Sequence, residues 1–443
     1  MRFIKKTKFQ KNGKIIKKYK LFGLSVLRKE ILPFKKKWNV LGIKFCKKHK
    51  IKNINFINVR ETSFYKEDKL EEIKNYLSKS KYIILWIDHS LGGGTEIYSY
   101  NCFNSSAQET NYLRLQYFHY NKSFVINLPK DVNNIKLSFE TIEDVFNFLS
   151  SFNFNEIVVN NLVGFPSTIN VLKFITNLKE KKPQVKVSFR GHDYQCICPS
   201  FNLLDYNNKY CNLSYENNCD HCLNHKILGK NEYEDKILKS GATSIKEWRK
   251  AWKHFFENSL DEFVVFSKNV GNIFCKVYPI LEDKMVVIPH NVSKFSKVNI
   301  EQHEDINIGI LGNISLLQKG SKVIEEMDIL LDNYSNVNLI IIGNYTNNYK
   351  NLKILGEYEA KQLPLIMQKE KIDIVFIPSI WPETFSYTTQ EAMNMGIPVA
   401  CFNLGAPAER VKMYDKGLII SNISASEALD NLVHYIKNIR KEK

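Results

Sequence analysis

Two glutamates, Glu383 and Glu391, stand eight positions apart in the stretch IPSIWPETFSYTTQEAMNMGIPV, which runs from Ile377 to Val399. A carboxylate accepts hydrogen bonds from hydroxyl groups, and two of them on one element can hold two polar ends of one ligand. Along a continuous helix the step would span ~12 Å, a separation that suits the two sugars of a nucleotide diphosphate sugar. Thr384, Phe385, Ser386 and Tyr387 would then lie at a helix N-terminus, where free backbone N–H groups and the helix dipole favour a diphosphate. The plainer alternative is a pair of solvated glutamates, and spacing alone favours it. The Pro-Ser-x-x-Pro-Glu frame from Pro378 to Glu383 and the strands on either side, Ile372–Ile377 and Pro398–Phe402, tip the reading toward a site.

Other residues with chemical potential fall at similar places. A glycine loop, Gly92-Gly93-Gly94-Thr95-Glu96, follows the apolar run Tyr82–Ile87. It lacks the Gly-Lys-Ser/Thr of a P-loop and the G-x-G-x-x-G spacing of a dinucleotide site. A structural turn and a contact to phosphate or acceptor both remain open. His192-Asp193 follows the strand Val185–Phe189; a lone histidine there could equally be a satisfied core residue. The cysteines Cys198, Cys211, Cys219 and Cys222 have a spacing that can make a four-thiolate zinc site. Packed reduced thiols or disulfides are the alternatives, His221 could replace one thiol, and Cys196 is a spare.

These residues must be positioned by alternating strands and helices. Apolar runs read as strands near 82–87, 156–160, 185–189, 262–266 and 285–288, then again at 306–311, 337–342, 372–377 and 398–402. Residues 112–119 and 123–128 read as paired strands, and helical stretches separate most of the others. Near-continuous apolar strands alternating with helices argue for α/β architecture with parallel sheets covered on both faces. The two series divide near residues 290–305. The expected organisation is a basic segment over 1–60 with two short hairpin-like repeats, a domain over 61–295 carrying a cysteine-rich insert at 196–225, and a domain over 296–443. A final helix begins at a capping box, Ser424 to Glu427, and is expected to pack back on the first domain. In doubly wound sheets ligands sit beyond the carboxyl ends of the strands. The loops at 89–96, 190–193, 312–320, 343 and 378–391 all occupy that position.

On these motifs the chain resembles family 4 of the retaining GT-B glycosyltransferases. Its signature reads E-x7-E, with P-S before it and G-x-P-V after it. Glu383, Phe385, Glu391, Ala392, Met393, Gly396, Pro398 and Val399 match. Thr384 and Ser386 stand where the family has glycine, which narrows the space beside the phosphates. The resemblance covers roughly residues 82–440. It implies a GT-B fold of two Rossmann-like domains facing across a cleft, and transfer of a sugar with retention from a nucleotide-sugar donor to a saccharide or lipid-linked saccharide acceptor in polysaccharide synthesis. Carried over residue by residue, Glu383 orients the donor sugar, Glu391 holds the ribose and Lys319 of Lys319-Gly320 pairs with the diphosphate. Gly405-Ala-Pro-Ala-Glu409 closes the donor site at Glu409. After Gly312 the family places arginine where this chain has Asn313. Gly93, Gly94, Thr95 and Glu96 form the acceptor-side loop, and His192 lies by the reacting centre. No catalytic cofactor is implied. Inserts opening with H-D and C-P occur in a bacterial subset of the family. The missing arginine and the two lost glycines motivate the alternative of a non-catalytic relative that binds saccharide or a partner transferase.

Charge is distributed unevenly. The chain of 443 residues carries a formal +17, yet residues 1–53 hold 19 Lys and Arg against Glu30 alone. The remaining body is close to neutral, which speaks against nucleic acid as its ligand. Aromatic and aliphatic residues interleaved with lysine in residues 1–53 suit an anionic membrane surface, each basic residue adding roughly 1 kcal/mol. A solvated basic tail is the alternative. No apolar run is long enough to span a bilayer, and the N-terminus lacks the apolar core of a secretory signal. The expected location is therefore cytoplasmic, peripheral on the inner face of the cell membrane.

Overall fold

The computed structural model describes the backbone of residues 4–11, 14–21, 24–32, 35–40 and 43–48, and of residues 63–441 apart from 131–134, 167, 215–217, 226–243, 293 and 348; side chains are described from Lys69 onward. Two compact units result, Met1–Asp68 and Lys69–Lys443.

The first unit holds an antiparallel five-stranded sheet: β1 (Ile4–Lys11), β2 (Lys14–Leu21), β3 (Leu24–Leu32), β4 (Lys35–Val40) and β5 (Ile43–Lys48), each paired with the next. Connections this short enforce antiparallel pairing, because a parallel pair needs a crossover of about a dozen residues or more. The two sequence repeats fall on the hairpins β2–β3 and β4–β5, and β1 adds a fifth strand. The basic side chains on which the membrane-surface expectation rests lie outside the described residues.

The second unit contains two sheets. The first comprises β6 (Tyr82–His89), β7 (Thr110–Phe118), β8 (Ser123–Asn127), β9 (Lys136–Phe139), β10 (Glu156–Val159), β11 (Lys186–Arg190), β12 (Glu262–Val265) and β13 (Met285–Val287), in the order β13-β12-β11-β10-β6-β7-β8-β9. Six strands are parallel; at the edge β8 pairs antiparallel with β7 and β9 antiparallel with β8. Too few residues separate β7 from β8 for a crossover, and they pair directly, as the sequence reading of 112–119 and 123–128 expects. The second sheet is wholly parallel: β14 (Ile306–Leu311), β15 (Val337–Ile342), β16 (Lys353–Ile354), β17 (Ile374–Ile377), β18 (Val399–Phe402) and β19 (Gly417–Ile420), in the order β16-β15-β14-β17-β18-β19.

Strand alternation explains the apolar runs. Along β15, Leu339 and Ile341 enter one core while Ile340 and Ile342 enter another on the opposite face. Helices Ser321–Leu330 and Ala425–Lys441 cover the first face; Leu363–Lys369, Tyr387–Met395 and Gly405–Val411 cover the second.

The final helix departs from expectation. Leu429, Leu432, Val433 and Ile436 are buried in the core of their own sheet, against helix Ser321–Leu330, β14 and β19, and not on the first domain. Only residues 421–424 separate β19 from this helix, too short a tether to carry it away. Its start is half a capping box: Ser424 Oγ accepts from the Glu427 N–H, while the Glu427 carboxylate accepts from Asn422. Among the described residues no helix is long and apolar enough to cross a membrane.

Candidate active site

The carboxyl ends of the two parallel arrays meet around residues 381–391. After β17 the chain turns through Pro378–Ser386 and enters helix Tyr387–Met395. Glu383 is buried, 4% exposed, yet charged. Its Oε1 takes the Lys319 ammonium at 2.8 Å and also accepts from Ser379 Oγ. Burial acts to raise its pKa, but the Lys319 charge and hydrogen bonds from Lys319, Ser379 and Ser386 outweigh it and hold the carboxyl below the ordinary value. Lys319 reaches this point from a short 3-10 turn, Leu317–Lys319, closed by left-handed Gly320.

Glu391, one helical stretch further, differs in kind. Among the described residues it has no hydrogen-bond partner, and burial raises its pKa. One carboxylate is thus paired and fixed, and the other is free to accept hydrogen bonds from a ligand. Ser386 begins the helix at φ 71° and ψ 94°, a conformation glycine adopts more readily. Its carbonyl accepts from Arg410 at 3.3 Å, and the Arg410 guanidinium lies 4.3 Å over the Phe385 ring. Sequence reasoning missed Arg410, whose only signal was its place next to Glu409. Gly312 abuts the first turn of the same helix at Thr388.

The N-terminal half closes over this loop. Thr384 Oγ1 donates to the His192 carbonyl at 2.7 Å, and Tyr194 OH donates to the Pro382 carbonyl at 2.8 Å. Tyr387 packs against Gly94, where an added Cβ would stand 3.1 Å from the ring. His192 and Tyr98 pack with Phe266 and His290 in one aromatic cluster, and His290 stacks on Phe385 at 4.3 Å. His290 is 8% exposed, and among the described residues neither of its ring nitrogens has a hydrogen-bond partner. Burial, and then the Arg410 charge, push its pKa down to about 3, so the ring is neutral. The chain therefore brings together His192, Gly94, Thr384, Phe385 and Tyr387, and, on the same loop and helix, Glu383, Lys319 and Glu391.

Four expected placements differ or stand apart. Glu409 does not face a free site: its carboxylate accepts from Ser267 Oγ at 2.8 Å and from the Lys268 and Asn269 N–H groups, capping helix Lys268–Val277 of the other half. That N-terminus otherwise lacks a side-chain cap, so it draws the carboxylate. Asn313 is exposed and folds back to accept from the Ser315 N–H at 3.2 Å. Gly93 and Glu96 belong to the N-terminus of helix Gly94–Ser105, where Gly93 has φ 79° and Thr95 accepts through its carbonyl from Ser99. Cys211 lies within electrostatic reach of Cys198, Cys219 and Cys222; burial, and then those thiols, push its own up to about 11. Among the described residues no group of three or more His, Cys, Asp or Glu side chains is gathered closely enough to hold a metal ion.

No protein of curated function matches the sequence. Among solved structures, Anabaena HepE in complex with UDP and glucose is similar over 81% of this chain and 90% of its own, at 13% identity and a TM-score of 0.50. Sucrose-phosphate synthase from Thermosynechococcus elongatus is similar over the same shares, at 12% identity and a TM-score of 0.50. Residues 291–443, which include the loop and helix bearing Glu383 and Glu391, match the family described as glycosyl transferases group 1. The chain has the GT-B fold, and its C-terminal third carries a group 1 glycosyltransferase domain.

Proposed function

We propose that the protein transfers a sugar, with retention, from a nucleotide-sugar donor to a saccharide or lipid-linked saccharide in cell-surface polysaccharide synthesis. The observation that carries this reading is the unequal carboxylate pair: Glu383 buried and held by Lys319, Glu391 without a hydrogen-bond partner among the described residues on the helix that follows. Glu391 accepts from the ribose hydroxyls. The first N–H groups of helix Tyr387–Met395 and the Lys319 ammonium receive the diphosphate and stabilise the charge that develops as it leaves. Lys319 also fixes Glu383 in its ionised form, ready to accept from the hydroxyls of the transferred sugar. His192, Gly93, Gly94, Thr95 and Glu96 line the acceptor side. A donor that bridges both halves should raise the melting temperature. UDP sugars head the panel, because Anabaena HepE is solved with UDP-glucose. A rise with one nucleotide sugar and not with its free sugar supports the reading; no rise with any member of a full panel contradicts it.

Two further roles follow as proposals. Cys198, Cys211, Cys219 and Cys222 are the proposed ligands of one structural zinc, whose binding would deprotonate the thiols and draw them together. Protein purified without chelator should hold about one zinc per chain by elemental analysis, and Cys219→Ser should lose it; zinc-free wild-type protein sinks the assignment. The basic segment is proposed to dock on an anionic inner leaflet. Deleting residues 1–53 should abolish sedimentation with phosphatidylserine vesicles, and unchanged sedimentation would overturn the idea.

A further inference from the structure

Five side chains of the N-terminal half form a hydrogen-bond chain with a fixed direction. It is anchored by Asp88 and Arg114, which pair at 2.6 Å with side-chain exposures of 0% and 4%. Ser99 Oγ lies 2.8 Å from Asp88 Oδ2 and 3.1 Å from the Thr95 carbonyl. Both neighbours can only accept, so the one serine proton goes to one of them. Toward its other neighbours, Trp86 Nε1 at 3.2 Å and Asn160 Nδ2 at 3.1 Å, Ser99 Oγ must therefore accept. This turns the Asn160 amide so that its Oδ1 faces His192 Nε2 at 3.0 Å. An amide oxygen cannot donate, so the proton of that bond sits on His192 Nε2.

We infer that Asp88, Ser99 and Asn160 are positioning residues that lock His192 in the Nε2–H tautomer, so that it offers Nδ1 as an acceptor for a substrate hydroxyl. The inference rests on the reading that His192 lines the reacting centre. Among the described residues Nδ1 has no hydrogen-bond partner, while Tyr98, Phe266 and His290 pack around the ring at 4.6–5.4 Å. The charged and titratable groups acting on the ring are His290, His89 and Arg190. With burial as the largest cause, they hold its pKa well below the ordinary histidine value, so the lone pair on Nδ1 stays free. Asp88 and Arg114 lie on the adjacent strands β6 and β7, whose apolar neighbours gave no sign of a network.

The tautomer is read directly from long-range proton–nitrogen NMR of the full chain labelled at its histidine rings. Wild type should show a protonated Nε2 and an unprotonated Nδ1 at His192. Ser99→Ala releases the Asn160 amide and should populate the Nδ1–H form. Asn160→Asp keeps an acceptor toward Nε2 and should retain the wild-type tautomer while moving the His192 titration upward. In turnover, Ser99→Ala should lower kcat by about tenfold, the loss of one oriented hydrogen bond, with little change in the donor KM. A wild-type His192 protonated on Nδ1, or a Ser99→Ala spectrum identical to wild type, overturns the inference. If no sugar transfer is found in wild type, the functional reading fails, but the NMR arm still decides the tautomer.

Discussion

Glu383→Gln should lower kcat/KM for sugar transfer by on the order of 10²–10³-fold while the chain stays folded. Glutamine keeps the shape of glutamate and removes its charge. Two charge-assisted hydrogen bonds are weakened at once, one from Lys319 and one from the transferred sugar, at roughly 1.5–3 kcal/mol each. Lys319 is 34% exposed in its side chain and can hydrate once its partner is neutral, so the fold tolerates the change. Glu391→Gln should act differently. Among the described residues that carboxylate has no hydrogen-bond partner, so its loss should raise the donor KM more than it lowers kcat. The pH dependence follows from the same pair. The Glu383 pKa is depressed in the folded state, so its stabilising contribution is present at neutral pH and is lost as pH falls through that depressed value. The Glu383→Gln variant should show a flatter loss of stability in acid. Equal activity in wild type and Glu383→Gln would remove this residue from the mechanism.

Gly405→Ala should damage the loop strongly. Gly405 has φ +58°, and an added Cβ would stand 2.5 Å from the Pro382 carbonyl carbon and 2.6 Å from the Glu383 carbonyl oxygen. The left-handed backbone costs a non-glycine residue roughly 1–2 kcal/mol, and backbone contacts this close add about 1–3 kcal/mol of overpacking. The obstacle is the peptide of Glu383, whose carbonyl already accepts from the Ala406 N–H at 2.8 Å. Relief of the clash must therefore move the Glu383 carboxylate. Thermal melting should show a fall of roughly 3–6 °C together with loss of nucleotide-sugar binding. A variant with wild-type melting and binding would mean that the loop has slack the packing does not show.

Much of this site was legible before any coordinates. Strand positions followed from apolar runs, because strands buried on both faces, such as β17 and β18, leave no charged or exposed position. Glu383 and Glu391 stood out by their Pro-Ser-x-x-Pro-Glu frame and their place beyond a strand end, and Lys319 by the resemblance of Lys319-Gly320 to a family motif; the structure sets Lys319 against Glu383. What stayed hidden depends on pairing across the chain. Glu409 matched a motif, but its partners lie about 140 residues away in Ser267–Asn269. Asp88 and Arg114 looked like polar interruptions of two strands until β6 and β7 set them side by side. Arg410 and His290 carry no spacing rule, and only the folded loop places both against Phe385. The destination of the last helix was likewise invisible in its periodicity. An apolar stripe states that a face is buried and leaves open against which sheet.

The central claim is that the donor lies beyond the six-stranded sheet, between Lys319 and Glu391. A crystal structure of the full chain with the nucleoside diphosphate that most raises its melting temperature tests it most directly. The account predicts the diphosphate at the N-terminus of helix Tyr387–Met395 with Lys319 Nζ turned onto it, and the ribose hydroxyls on Glu391. A nucleotide bound elsewhere, with Lys319 still on Glu383 and Glu391 untouched, would contradict it.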